Sequence, residues 1–212
     1  MSDVEAKRNA LFGKTMVAAL EKREFAAYYC ADKASALAKA LELIPETDVV
    51  SWGGSASIDE IGLKEAVKAR NKVINRELAK DANEKREIMR QALLCDTFIM
   101  STNAMSEDGQ LVNIDGNGNR VAALVYGPKS VVMIVGMNKI CPDLDSAQKR
   151  ARSVAAPINV QRFANVTTPC AKFGKCMDCN APDTICCQVL VTRHCRPAKR
   201  IKIILVGENL GY

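Results

Sequence analysis

Hydrophobic positions recur at helical spacing from the start of the chain: between Val4 and Phe25, the residues Leu11, Phe12, Met16, Ala19 and Leu20 share a face and charges fill the other. That pattern predicts an amphipathic helix. Ala26 to Cys30 reads as a short apolar strand, and Ala34 to Ile44 returns to three- and four-residue intervals until Pro45. The period then changes. Val49-Val-Ser-Trp52 predicts a strand, Gly53 to Ser57 a turn, Ile58 to Arg70 a helix and Lys72 to Asn75 another short strand. A helix over Asn83 to Leu94 leads to a strand at Thr97 to Ser101, a polar stretch, and a short helix or strand at Val121 to Tyr126. Ser130 to Gly136 is apolar and β-branched over its whole length, as a strand buried on both faces must be. Asp143 to Ala156 predicts a helix ended by Pro157, and two further strands, Gln188 to Thr192 and Ile201 to Val206, flank a basic loop. Strands separated by helices predict a three-layer α/β fold, a mainly parallel sheet flanked by helices. We expect one domain over residues 1–212, carrying a Cys-rich insertion at 169–187 near its C-terminal end.

With 48% hydrophobic and 25% charged residues, the chain has the composition of a globular protein. The longest apolar runs are less than half of what a membrane-crossing helix needs, and the first residues, charged in both signs, are unlike a secretory signal. We therefore expect a cytoplasmic protein. The net charge of +6 favours anionic ligands weakly. Aromatics at 5%, and basic residues spread along helices, argue against a nucleic-acid surface. The single histidine, His194, confines any Ser-His-Asp or Cys-His unit to that position.

Three segments can carry chemistry. The first is Trp52-Gly-Gly-Ser55, a strand delivering a glycine turn to a helix, where backbone N–H groups of Gly53, Gly54 and Ser55 can receive an anion. Ser57 and Glu60 have capping-box spacing there. The second is the polar stretch 101–120, in which Glu107-Asp-Gly109 turns between two extended pieces. Asn113, Asp115, Asn117, Asn119 and Arg120 then either read a polar ligand or tie the loop to itself. Glu60, Glu107 and Asp115 are the carboxylates available as base or nucleophile.

The third segment holds five of the nine cysteines: Cys170, Cys176, Cys179, Cys186 and Cys187. Soft thiolates at such density suit zinc or an iron–sulfur cluster, with redox-active or merely buried thiols as the alternatives. The ligand set expected is Cys170, Cys176, Cys179 and Cys186, with Cys187 as substitute. Cys30, Cys95 and Cys141 lie in or beside apolar segments and read as packing residues.

Taken together, Trp52-Gly-Gly-Ser55, Asn113-Ile-Asp-Gly-Asn-Gly-Asn-Arg-Val-Ala-Ala123, Gly136-Met-Asn-Lys139, Thr168-Pro-Cys170 with Cys176, Cys179 and Cys186, and Val206-Gly-Glu-Asn-Leu-Gly211 resemble the LUD domain family of lactate utilization proteins. The resemblance implies the NagB/RpiA/CoA transferase-like fold, shared with sugar-phosphate deaminases and isomerases and coenzyme A transferases. It adds Lys139 to the ligand-binding set and implies work in an iron–sulfur dependent system that oxidises L-lactate to pyruvate, alongside iron–sulfur partner proteins. The ligand expected is a small organic acid, with a phosphorylated sugar or acyl thioester as the alternative for an enzyme acting alone. A non-catalytic metal-binding or regulatory module is a third reading.

Overall fold

The structure is a computed structural model and describes residues 2–212. Six parallel strands form the main sheet in the order β1-β10-β7-β4-β2-β3. They are β1 (Ala26–Cys30), β2 (Val49–Trp52), β3 (Lys72–Val73), β4 (Thr97–Met100), β7 (Ser130–Gly136) and β10 (Ile201–Val206). The central strands β4, β7 and β10 are buried almost throughout, which is why their sequences are continuously apolar rather than alternating. The short strands β1 and β3 close the two edges.

Helices cover both faces. On one side α1 (Asp3–Glu21) and α6 (Asn119–Val125) pack Met16, Leu20, Ala123 and Leu124 onto Phe98, Val131, Met133 and Ile203. On the other, α2 (Lys33–Leu43), α3 (Ala56–Glu60) and α4 (Leu63–Arg70) set Ala36, Ala40, Ile58, Leu63 and Val67 against Val50, Ile99, Val132 and Ile204. A further helix, α5 (Ala82–Gln91), precedes β4. Burying both faces of a parallel sheet gives the three layers that the chain's periodicity predicts.

A second sheet stands apart, with strand order β8-β5-β6-β9. Its strands are β5 (Ala104–Ser106), β6 (Leu111–Asp115), β8 (Ile140–Cys141) and β9 (Gln188–Thr192). Gln188 to Thr192 therefore pairs antiparallel with β6 and is no part of the main sheet. The sheet covers α7 (Leu144–Arg150) through Val112, Ile114, Cys141, Ala147 and Ala151.

Several predicted elements change shape. The helix expected over Ile58 to Arg70 is two helices, because Gly62 takes a left-handed φ of 74° between them. Pro157 does not end the helix before it. The turn Ala151–Ala155 widens to π geometry, and α8 (Ala156–Val160) continues with the proline in its first turn. Widening absorbs the missing N–H and the clash of the ring with the preceding turn. Two short elements flank the next region: α9 (Pro169–Phe173) and, before α5, a 3-10 turn at Arg76–Leu78. Among the described residues no helix is long and apolar enough to cross a membrane.

Candidate functional site

A polar cleft of about 450 Å³ opens over the carboxyl ends of the main strands. The chain leaving each strand contributes: Gly54 and Ser55 after β2, Arg76 after β3, Ser101, Thr102 and Asn103 after β4, Lys139 after β7, and Tyr212 after β10. Asp115, Asn117, Asn119 and Arg120 come in from the β6–α6 connection, and Arg162 from the end of α8. This is where doubly wound sheets receive ligands. The glycine turn and the Asp115–Arg120 loop thus face one cleft.

Its charge is carried by four cationic side chains, Arg76, Lys85, Arg120 and Arg162, with the Lys139 amine beside them, against the side-chain carboxylates of Glu77 and Asp115. Glu77 is engaged elsewhere, by Lys64 at 3.1 Å and by the Trp52 indole N–H at 3.3 Å. Arg76 is largely buried, and its hydrogen bond runs to the Met89 sulfur, not to a carboxylate. Buried cations left without carboxylate partners give the cleft a positive potential.

Arg120 is held from behind. Its guanidinium donates to Ser101 O at 3.0 Å, Asn113 Oδ1 at 2.7 Å, Asn103 Oδ1 at 3.0 Å and Ile114 O at 2.7 Å, all neutral acceptors. Asp115 accepts from the backbone N–H groups of Gly116, Arg120 and Val121, so its carboxylate caps the start of α6. The loop is therefore both self-bonded and exposed to the cleft. Asn113 belongs only to the first role: it is fully buried behind Arg120 and off the cleft wall.

Gly53 also lies off the wall. A side chain there would place Cβ 2.7 Å from Arg120 Cδ, so this glycine lets the strand end approach the arginine stem. The same point at Gly54 would meet the Arg76 tip at 3.2 Å, inside the cleft. The expected capping box is absent: the helix begins at Ser55, Ser57 is buried, and Glu60 accepts from the Gly211 N–H at 3.1 Å. The chain end is fastened to α3, and it draws Glu60 away from capping. Glu60 and Glu107 both lie outside the cleft wall, Glu107 in the β5–β6 turn with its N–H on Cys141 O. Of the three carboxylates, Asp115 alone reaches the cleft.

Lys139 is the most unusual group present. Its side chain is nearly inaccessible, and its Nζ lies 2.9 Å from Ser57 Oγ and 3.0 Å from Ser101 Oγ with no carboxylate in ion-pair range. Burial first, then Arg150 and Arg120, pull its amine down to about 7, against a smaller pull upward from Glu60.

The cysteine segment encloses a second cavity of about 300 Å³, whose wall includes Cys170, Cys176, Cys179 and Cys186. Cys170 sits in the short α9, after the Thr168 cap, and Cys186 lies just before β9. The other two come from the coil between. Burial pushes the Cys186 thiol up to about 11, and the charges of Cys170, Cys176 and Cys179 add to that shift. Cys187 is exposed, off the cavity wall, with its thiol on Thr184 O at 3.5 Å. Among the described residues no group of three or more His, Cys, Asp or Glu side chains is drawn tightly enough to hold a metal ion; the four cysteines share a cavity wall and no more.

The remaining thiols are structural. Cys30, Cys95, Cys141 and Cys195 are buried, and Cys195 is fixed between the Ile201 N–H and Pro197 O. His194 is exposed beside it, away from both cavities. A larger depression, about 650 Å³, lies between the start of α1 and Met137, Asn138, Glu208 and Asn209, but none of the buried cations opens onto it.

The two cavities share a wall. Ile114, Thr184 and Ile185 line both, so these residues separate the cationic cleft from the cysteine-lined cavity. Arg76, Lys85 and Arg162 escaped sequence reasoning because each is a lone basic residue on an amphipathic or coil segment. Only the packing of β3, α5 and α8 around one opening gathers them.

Comparison with known proteins follows the same outline. No curated protein matches the chain. A crystal structure of a DUF162 family protein from Deinococcus radiodurans superposes with a TM-score of 0.55 at 12% identity, covering 93% of this chain and 98% of that one. At that identity the likeness is one of fold. The family model of the LUD domain matches residues 13–206, nearly the whole chain from α1 to the last residue of β10. The chain belongs to the LUD domain family.

Proposed function

We propose that this protein is a redox component of an L-lactate oxidising system, which binds a small carboxylate in the cationic cleft beside an iron–sulfur cluster in the cysteine cavity. The observation that carries this reading is the wall of Ile114, Thr184 and Ile185, common to both cavities. Cys170, Cys176, Cys179 and Cys186 would hold the cluster. What supports this assignment is chemistry and place: cysteine thiolates are the ligands such clusters take, and these four share one cavity wall. When bound, the cluster would supply one-electron transfer.

The protein's own residues do the rest. Arg76 and Arg162 line the cleft and would offer guanidinium groups to a carboxylate, the side chain best suited to paired hydrogen bonds with one. Arg120 adds a fixed positive charge that no movement is needed to place. The carboxylate of Asp115, already taken by three N–H groups, keeps the loop ordered against the ligand.

Two measurements test the reading. Protein purified without oxygen should contain iron and acid-labile sulfide, and should lose both when Cys176 and Cys179 are replaced by Ser. Calorimetry should show L-lactate or pyruvate binding that weakens about 10-fold or more in Arg76→Ala, the loss expected for a charged hydrogen bond. Zinc in place of iron, or binding confined to phosphosugars or acyl thioesters, would instead favour a stand-alone enzyme or a metal-binding module.

A further inference from the structure

Ser101 Oγ donates its proton to Ile134 O at 2.6 Å, so toward Lys139 it acts as an acceptor. Ser57 Oγ differs. Its contact with Lys139 is its one hydrogen bond among the described residues, and Ser57 is fully buried. Were the lysine an ammonium, both serines would have to accept from it, and the Ser57 hydroxyl proton would be left buried with no acceptor. Such an orphan costs about 1–3 kcal/mol. A neutral amine resolves the conflict: one N–H goes to Ser101, the lone pair accepts from Ser57, and an N–H remains.

The charges facing the amine act in the same direction. Arg150 approaches from α7 and Arg120 from α6, while the one acid on that side, Glu60 of α3, is engaged by the chain end. Arg150 is itself fixed, donating to Asn138 O at 2.9 Å and Asn103 O at 2.7 Å, so it cannot swing away. Lys139 also lines the cleft, together with Ser101 and the arginines. A neutral primary amine in a cationic cleft is a nucleophile next to an anion-binding surface.

We propose that Lys139 is an imine-forming lysine, which captures the carbonyl carbon of a 2-oxo acid whose carboxylate is held by the arginines of the same cleft. Ser57, on this account, is a positioning residue that keeps the lone pair oriented until the ligand displaces its hydroxyl. The step balances without an oxidant or reductant. A C–N bond forms, the nitrogen gives up its two protons, and the carbonyl oxygen leaves with them as water. The inference rests on the cleft reading above and adds to it a covalent mode for the oxo-acid class of ligand; it does not depend on the cysteine cavity.

Reductive trapping tests it directly. The intact protein is incubated with pyruvate and cyanoborohydride near neutral pH, and the modified peptides are mapped by mass spectrometry. The expected result is one dominant adduct on Lys139, half-maximal near neutral pH and absent from Lys139→Arg. Surface lysines, almost all ammonium at neutral pH, should be modified more slowly there and keep gaining as pH rises toward their ordinary pKa of about 10. Because the site mapping and pH profile are read on the wild type, a folding defect in the variant does not decide the matter. Calorimetry on the same sample separates the two claims. If pyruvate and L-lactate bind but Lys139 carries no adduct, the imine is wrong and the cleft stands; if neither binds, both fall.

Discussion

Arg120 and Lys139 show how a residue acquires a role from what surrounds it. Each is a cation taken out of water, which costs free energy unless the charge is hydrogen-bonded or given up. Arg120 keeps its charge and is held by four acceptors. Arg120→Lys cannot reproduce that fork, and should destabilise the fold by about 2–4 kcal/mol in urea unfolding, with the midpoint rather than the slope changed. Lys139 resolves the cost by deprotonation. Its folded value of about 7 lies below the ordinary 10.5, so the unfolded chain binds more protons between those limits. Its burial therefore destabilises the fold fully below about pH 7, and that cost fades as pH rises toward the ordinary value. Lys139→Met should flatten this dependence, with wild type gaining on the order of a few kcal/mol relative to the variant from mildly acidic to alkaline pH. Denaturation across the pH range measures it. The sequence marks both residues only through the family motifs around them, since nothing in a Lys or an Arg announces its burial.

At the scale of elements, the connection after β2 places a packing glycine and a cleft-lining glycine side by side. Gly53→Ala would drive Cβ into the Arg120 stem, and should cost stability comparable to the Arg120 variants. Gly54→Ala meets only the flexible tip of Arg76, so it should leave unfolding almost unchanged and act on carboxylate affinity alone. Thermal melts and calorimetry on the pair give the two readouts. The sequence locates this turn because a strand, two glycines and a helix succeed one another there. It misassigns Ser57 and Glu60, because capping-box spacing is local, while their partners lie far off at Lys139 and Gly211. The π-turn ahead of Pro157 is hidden for a related reason: proline forbids a regular helix, but the packing of Ala151, Ala155 and Val160 keeps the chain coiled.

Across the whole molecule, the main sheet was legible because its central strands are buried on both faces and so spell themselves out in apolar runs. The second sheet was legible only in pieces: the turn at Glu107-Asp-Gly109 marks two extended stretches and Gln188 to Thr192 reads as a strand, but β5 and β8 have three and two residues, too few for a periodicity, and nothing local says that these strands pair with one another. Yet this sheet brings the chemistry together: β6 carries Ile114 and Asp115, β9 follows directly on Cys186 and Cys187, and their pairing seats the cysteine cavity against the cleft. Cysteine density singled out the segment; the sheet pairing that places it beside Ile114 could not be read from spacing.

Electron paramagnetic resonance of the reduced protein, prepared without oxygen and recorded with and without L-lactate, bears most directly on that adjacency. A cluster held by Cys170, Cys176, Cys179 and Cys186 should give a signal that changes shape when L-lactate or pyruvate fills the cleft, and in Arg76→Ala the change should need about 10-fold more ligand or higher while the signal itself remains. A protein that gives no cluster signal after anaerobic reconstitution, or a signal indifferent to saturating L-lactate and pyruvate, would contradict the account.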